Sequence, residues 1–310
     1  MTRESGSGIT CNRRSVLTTG TFDGMHLGHQ AIVRYLVERA RHIGGVPTLV
    51  TFDPHPREVI AGVRVPLLTT MDERAGLAEE LGIERFVVLP FTRDLSNLEP
   101  EAYVTDVLSE RIGMKEIVIG YDHRFGRRAR GDRDLLDALG REHGFSVDVI
   151  PEQIETGVTV SSTEVRQRLA AGDVERAAAL LGRPYQFAGT VVRGEGRGRT
   201  IGFPTANVQP EHERKMLPGV GVYAVRARVE EYDGLAGMMN VGRRPTFETD
   251  GALKAEVHLF ETDADLYGRR LAVDVIARIR DERTFDGVDA LVAQLREDRQ
   301  RARWLLAAER

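Results

Sequence analysis

Three observations predict a Rossmann-like α/β module followed by an antiparallel β-barrel module with a C-terminal helix. Up to about residue 181, short apolar runs alternate with amphipathic stretches of helical period. Past Pro184 the runs alternate at period two or carry β-branched residues, with turn chemistry between them. The final stretch carries a single apolar stripe at helical spacing.

The elements follow in order. Residues 15–19 read as a strand, and residues 30–43 follow as a helix with Ile32, Val33, Leu36, Val37 and Ala40 on one face. Strand-like runs at 46–52, 86–90, 116–120 and 145–150 are separated by helical stretches at 72–81, 100–112 and 132–143. Such alternation implies right-handed crossovers and a mostly parallel sheet covered by helices on both faces. Two more helices are expected at 162–171 and 173–181, which sets the module boundary between Gly182 and Pro184 and divides 1–183 from 184–310. Strands are then expected at 186–193, 221–229, 235–241, 255–261 and 271–279, with Asp233-Gly234 and Tyr267-Gly268 as turns. Val288, Leu291, Val292, Leu295, Ala302, Leu305 and Leu306 form the stripe of the closing helix.

Composition excludes several classes. One cysteine, Cys11, rules out an internal disulfide or a multi-cysteine metal site and points to the cytoplasm. No apolar run reaches the roughly 18 residues of a membrane span, and the polar residues 1–14 lack the core of a signal peptide. A net charge of −4 gives no broad basic field for nucleic acid, so small molecules are the expected partners.

Gly20-Thr21-Phe22-Asp23-Gly24-Met25-His26-Leu27-Gly28-His29 falls where the first strand ends and the first helix begins. Glycines there let backbone approach a ligand, and helix N-terminal amides favour phosphate. His26 and His29, three apart, can donate hydrogen bonds to developing charge. Phe52-Asp53-Pro54-His55-Pro56 follows the second strand, and Gly120-Tyr121-Asp122-His123-Arg124-Phe125-Gly126 follows the strand at 116–120. Loops after parallel strands open at one edge of the sheet, so these clusters should converge. Taken singly, the prolines only shape a turn and Asp122 with Arg124 is only a surface ion pair. Ser161-Ser162-Thr163-Glu164-Val165-Arg166 reads as a helix start, and capping alone would explain its hydroxyls.

In the second module Gly202-Phe203-Pro204-Thr205-Ala206-Asn207 follows a Gly/Arg-rich loop at 193–199 that contains Gly194, Gly196 and Gly198. The Thr205 hydroxyl and the Asn207 carbonyl are hard oxygens suited to Mg²⁺ beside nucleotide phosphates. The competing possibility is a β-turn with a solvated basic loop. In Ala255-Glu256-Val257-His258-Leu259, Glu256 and His258 share one face, where Glu256 could take a proton from a substrate hydroxyl.

Together GTFDGxHxGH, FDPHP, GxDxRFG and SSTxxR, followed by GFPTAN, GRRPTF at 242–247, EVHLF at 256–260 and DLYG at 265–268, resemble the bacterial bifunctional riboflavin kinase/FAD synthetase family over residues 15–303. The HxGH element alone also occurs in other nucleotidyltransferases and in class I aminoacyl-tRNA synthetases. The resemblance implies a nucleotidyltransferase-type α/β module that adenylylates FMN with ATP, and a barrel module that phosphorylates riboflavin with ATP and Mg²⁺. It further implies that His26 and His29 steady the ATP phosphates, that Gly20, Phe22, Asp23, Gly24, Gly28, Asp122 and Arg124 contact nucleotide, and that Ser161, Ser162, Thr163 and Arg166 hold the leaving pyrophosphate. Phe52, Pro54, His55, Pro56 and Phe125 would meet the flavin. In the barrel, Gly194, Gly196, Gly198, Pro204, Thr205 and Asn207 would hold the second ATP, with Thr205 and Asn207 on Mg²⁺ and Glu256 as general base. Two departures touch the flavin pockets: His123 stands where the family usually has Phe, and Met238-Met239-Asn240 replaces smaller residues. A different nucleotidyltransferase with a binding-only β domain, and an inactive flavin- or RNA-binding regulator, are the rival readings.

Overall fold

The computed structural model describes residues 1–155, 157–194, 197–229, 232–243, 253–262 and 265–308, the side chains of Arg197 and Asp233 excepted. The chain divides into two compact units, 1–161 and 162–310. The expected helices at 162–181 therefore go with the barrel unit and not with the sheet.

The first unit contains strands β1 (Thr2–Ser5), β2 (Ser15–Thr19), β3 (Val46–Asp53), β4 (Arg85–Pro90), β5 (Met114–Gly120) and β6 (Ser146–Ile150). They pair in parallel in the order β1-β4-β3-β2-β5-β6. Helices α1 (Leu27–Ile43), α2 (Pro56–Ala61), α3 (Met71–Glu80), α4 (Arg93–Asn97), α5 (Pro100–Ala102) and α6 (Arg133–His143) lie between the strands, and α5 runs straight into a π-helical stretch, Tyr103–Ile112. Val33, Leu36, Val37 and Ala40 of α1 pack with Ala75 and Ala78 of α3 on one side of the sheet. Tyr103, Val104, Val107 and Leu108 pack with Leu136 and Leu139 of α6 on the other. Covered on both faces, β2 and residues 46–52 of β3 at the centre of the sheet are apolar or hydroxyl-bearing throughout, as a parallel sheet requires. A short hairpin of β7 (Ile154–Glu155) and β8 (Val158–Thr159) ends the unit.

Strand β1 lies in the polar start, where the sequence predicts no element. Its four residues show no apolar alternation, and it is held instead by the ladder to β4 and by Glu4, which pairs with Arg85 at 2.9 Å.

The second unit opens with α7 (Ser162–Ala170) and α8 (Val174–Leu181), the latter lying against β9 and β14 of the barrel described next. Strands β9 (Tyr185–Val192), β10 (Ala206–Pro210), β11 (Gly221–Val229), β12 (Tyr232–Arg243), β13 (Leu253–Leu259) and β14 (Arg270–Arg280) close an antiparallel barrel in the order β10-β13-β12-β11-β14-β9. Helix α9 (Arg197–Thr200) sits between β9 and β10, and α10 (Val288–Ala307) closes the chain. Alternation sends Phe187, Tyr223, Val225, Met239, Val257 and Val273 into the sealed interior. On the outside, Ala224, Met238, Phe260 and Ile276 form a second core with Ala302 and Leu306 of α10, with Val292, Leu295 and Leu305 packed against it as the apolar stripe predicts; Val288, the first residue of the helix, is instead exposed.

Two details differ from expectation. Ala206 and Asn207, the end of the GFPTAN motif, open β10, because Ala206, Asn207 and Val208 pair with β13 on one side while Asn207 through Pro210 pair with β9 on the other. Asp233 and Gly234, expected at a turn, lie within β12.

Candidate active sites

In the first unit the chain leaves β2 on one side for β3 and returns on the other with β5, so a crevice opens at the carboxyl ends of the strands. A cavity of about 610 Å³ lies there. Gly20, Phe52, Pro56, Arg124 and Phe125, from the carboxyl ends of β2, β3 and β5 and the segments that follow them, line it, as the expected convergence requires. Pro54 and His55 are not on its wall. Pro54 follows a cis peptide bond from Asp53, and His55 is the N-cap of α2, its Nδ1 accepting from the Arg57 amide at 3.2 Å. Asp122 is exposed and also off the wall, while Arg124 pairs at 3.1 Å with Asp132, the N-cap of α6.

The glycine-histidine loop is tightly built. Phe22 and Met25 hold φ of 48° and 42°, conformations that non-glycine residues adopt at a cost, and Gly24 lies at 85°. Asp23 underwrites this shape. It is 0% exposed, accepts from the Leu68 and Thr69 amides at 3.1 and 2.8 Å, and pairs with Arg74 at 3.3 Å. Asp23 is thus turned into the protein as an anchor for the loop, and the Gly24 amide is held by Thr69 Oγ1 at 2.9 Å.

His26 is the N-cap of α1, and its Nδ1 accepts from the His29 amide at 3.3 Å. A neutral His26 therefore carries its proton on Nε2. The two imidazoles stack with centroids 3.6 Å apart. Burial, then the charges of His26 and Arg74, pushes the His29 pKa well below the usual imidazole range, so His29 is neutral near pH 7. Gly28 is needed beside them, since a Cβ there would press on the His26 ring at 3.2 Å. Ser161 is the last residue of the first unit, while Ser162, Thr163 and Arg166 belong to the first two turns of α7 in the second.

In the second unit two cavities meet at one residue. The larger, about 590 Å³, is lined by Arg193, Gly194 and Pro204 together with Thr262, Asp265 and Tyr267. The smaller, about 290 Å³, lies on the outer face beside α10 and includes Glu256, His258, Asn240 and Arg280. Thr205 lines both.

Barrel register explains why Glu256 sits where it does. It pairs with Asn207 of β10 on one side and with Asn240 of β12 on the other. Directly opposed residues on neighbouring strands present their side chains to the same face, about 5 Å apart. The three form a row of carbonyl, carboxylate and carbonyl across the barrel wall. Gly194 and Gly198 prove to be close-approach positions: a Cβ on the first would strike the Asn207 side-chain amide, and one on the second the Phe203 carbonyl. Gly196 and residues 244–247 of the GRRPTF motif lie outside the described residues.

Comparison with known proteins agrees with both halves. The FAD synthetase family matches residues 8–164 and the riboflavin kinase family residues 181–306. A Listeria monocytogenes protein named bifunctional riboflavin kinase/FMN adenylyltransferase is 37% identical over 294 residues, which span 94% of this chain and 92% of that protein. The chain belongs to the bifunctional riboflavin kinase/FMN adenylyltransferase family. An Escherichia coli K12 protein of the same name is 38% identical over 289 residues, 93% of this chain and 91% of its own. The whole fold recurs in a Streptococcus pneumoniae crystal structure described as a macrolide-efflux protein, with a TM-score of 0.88, 31% identity and coverage of 97% of this chain and 98% of that one. Among the described residues of this family member, no helix is long and apolar enough to cross a membrane.

Several residues at these sites carry no motif signal. Tyr103 lines the first cavity from the π-helical stretch, hydrogen-bonds Thr19 at 2.8 Å, and has its phenol pKa pushed to about 12 by burial. Arg93 joins that wall from α4. His123, the departure from the family's usual Phe, also lines it, stacks on Phe125 at 5.8 Å, and is lowered to about 4 by burial, with Nε2 buried and unpartnered. Asn240 in the barrel is brought beside Glu256 only by strand register.

Proposed function

We propose that the chain makes FAD in two steps, phosphorylating riboflavin to FMN in the barrel unit and adenylylating FMN in the sheet unit, each with its own ATP. The principal support is that each matched half holds its own cavity with its own motif residues on the wall, and that Thr205 joins two cavities in the half that must bring together two substrates. Functionally, residues 1–183 serve adenylyl transfer and 184–310 serve phosphorylation, although α7 and α8 pack with the barrel.

In the barrel, ATP takes the larger cavity and the flavin the smaller, apolar one beside α10. Glu256 accepts the proton of the ribityl 5′-hydroxyl as its oxygen attacks the γ-phosphorus, giving FMN and ADP. The Thr205 hydroxyl and the Asn207 carbonyl are neutral hard oxygens, a donor pair that fits Mg²⁺ sharing its shell with phosphate. Thr205 and Asn207 would hold the cation, which would supply neutralisation of the charge on the transferring phosphoryl group. Rate comes chiefly from alignment.

In the sheet unit the flavin ring takes the cavity at the strand ends, between Phe52 and Phe125. The FMN phosphate attacks the α-phosphorus of ATP and pyrophosphate leaves. His26, whose Nε2 carries the proton, and neutral His29 donate hydrogen bonds to the phosphate oxygens as charge builds on them. Asp23 acts by holding the loop in shape. Ser161, Ser162, Thr163 and Arg166 receive pyrophosphate at the start of α7. The partners are small molecules, and the cytoplasm is the compartment that supplies them.

Incubation with riboflavin, ATP and Mg²⁺, followed by chromatography, tests this directly. FMN should appear first and FAD after it. FAD formed from supplied FMN without any FMN formed from riboflavin would support the binding-only barrel, and the absence of both products would overturn the enzyme assignment.

A further inference from the structure

The GFPT turn has few ways to be held in place. Phe203 is tied at one end, its amide donating to the Gly198 carbonyl at 2.9 Å, and Ala206 is tied at the other by pairing with Val257. Between them Pro204 has no N–H, so its carbonyl is its one main-chain hydrogen-bonding group. The ladder between β10 and β13 stops at Ala206, one step short of His258. There the His258 side chain takes over from the backbone: Nδ1 lies 2.8 Å from the Pro204 oxygen. A carbonyl only accepts, so Nδ1 carries the proton and Nε2 is bare.

The ring is fixed on its other sides as well. His258 is 7% exposed and packs against Phe203 and Phe260, with centroids at 5.2 and 5.7 Å. Burial, with the charge of Arg299 nearby, lowers its pKa against the raising effect of the Pro204 bond. The imidazole is therefore a neutral, immobile donor.

We propose that His258 is a positioning residue for phosphoryl transfer, holding the Pro204 carbonyl and through it the orientation of Thr205 at the junction of the two barrel cavities. The Pro204 carbonyl and the Thr205 amide belong to one planar peptide unit, so fixing the oxygen fixes the direction of the N–H and the start of the Thr205 side chain. Glu256, two residues before His258 on the same face of β13, is set by the same strand. One strand thus orients the general base directly and the phosphate-side hydroxyl through a side-chain bond. This inference rests on the barrel being the kinase.

The test uses the full chain, with FAD formation from supplied FMN as the internal control for folding. His258→Phe keeps the ring and removes the donor. It should lower kcat for FMN formation about tenfold to a hundredfold, the usual effect of leaving a buried carbonyl unpaired. The KM for riboflavin should stay within about twofold, and adenylyl transfer should be unchanged. His258→Asn, whose amide can donate from near the Nδ1 position, should recover most of the loss. Wild-type kcat in His258→Phe, a change confined to the riboflavin KM, or equal impairment in the Asn and Phe variants would each overturn the proposal. If His258→Phe fails to fold, His258→Gln against His258→Asn makes the same comparison, because the Gln amide reaches only the Nε2 position. Wild-type chain that makes no FMN would instead overturn the kinase assignment itself, so the two failures are distinguishable.

Discussion

The two units solve the same chemical problem, holding a triphosphate beside a flavin, with opposite uses of β-structure. In the sheet unit the site is built at strand ends. Gly20, Phe52, Arg124 and Phe125 lie at or just beyond the ends of three parallel strands, and both faces of the central sheet are covered by the core. In the barrel unit the site is built on strand faces. Asn207, Glu256 and Asn240 stand abreast on three neighbouring strands, while the residues that alternate with them fill the interior. A parallel sheet buries both faces and leaves only its edge for ligands, whereas a closed barrel has an outer face to spare.

The comparison is broken most sharply by removing one chemical group from each unit. Glu256→Ala should reduce FMN formation about 10²- to 10⁴-fold, the range for a general base, while FAD formation from supplied FMN is preserved. His29→Ala should reduce FAD formation about 10²- to 10³-fold and let FMN accumulate, as expected for a lost donor to transition-state charge. Product ratios by chromatography check both. Loss of both products in either variant would mean that the units do not divide the work.

The same contrast explains what was legible in the sequence. Sites at strand ends are written as contiguous words, because the residues of one loop stay together: GTFDGxHxGH, FDPHP and GxDHRFG could be read directly. Within those words, direction was not legible. Asp23 reads like a ligand contact but points inward to Arg74, and His55 caps a helix. Sites on strand faces are spread over neighbouring strands, so the placing of Asn207 and Asn240 beside Glu256 becomes visible only once the register is known, whereas His258 shares the Glu256 face by alternation alone. Gly194 and Gly198 were legible as glycines but not for their reason, which is contact with Asn207 and Phe203 and depends on tertiary approach. Strand β1 left no pattern because its pairing uses main chain and one arginine. The helices were the easiest elements, since the apolar stripes of α1 and α10, the exposed Val288 excepted, pack as their spacing predicts.

Asp23→Asn sharpens the comparison on the side of stability. Leaving Arg74 buried with a neutral partner should cost about 3–5 kcal/mol, and the cost should fall on the sheet unit. FAD formation should be lost at temperatures where FMN formation persists in the same sample. Equal inactivation of the two reactions on heating would show that the loop anchor is not local to its unit.

His123→Phe restores the family's usual residue on the wall of the first cavity, with an effect that depends on pH. The folded-state pKa of His123 lies at about 4, against an ordinary imidazole value of 6.5. Between those values the unfolded chain takes up a proton that the folded one refuses, so stability is complete above pH 6.5 and falls as the pH drops towards 4. The difference amounts to about 3 kcal/mol. The Phe variant should lack this decline, and melting curves of the two proteins should diverge below about pH 6.5. Parallel behaviour of the two proteins from about pH 7 down to about pH 4 would show that the ring is not sealed from water.

The smallest effect is expected at the sheet edge, far from the strand-end cavity. Glu4 receives Arg85 through two bonds of 2.9 Å, and Arg85, almost wholly buried, also donates to Ser15 Oγ at 3.0 Å and to the Ile112 carbonyl at 2.9 Å. The hydrogen bond to Arg85 is the largest influence holding the Glu4 carboxyl below its ordinary 4.5. A depressed carboxylate contributes stability above its unfolded pKa and loses it as the pH falls through the folded one. Glu4→Gln should therefore cost roughly 1–2 kcal/mol at about pH 7, and the gap to wild type should close in acid, once Glu4 itself is protonated. β1 has no apolar face, and its other side-chain ties, Arg3 to Asp72 and the Thr2 hydroxyl to the Glu84 carbonyl, are exposed, so amide exchange in residues 2–5 should rise in the variant at neutral pH. Unchanged exchange there would mean that the ladder to β4 alone holds the strand.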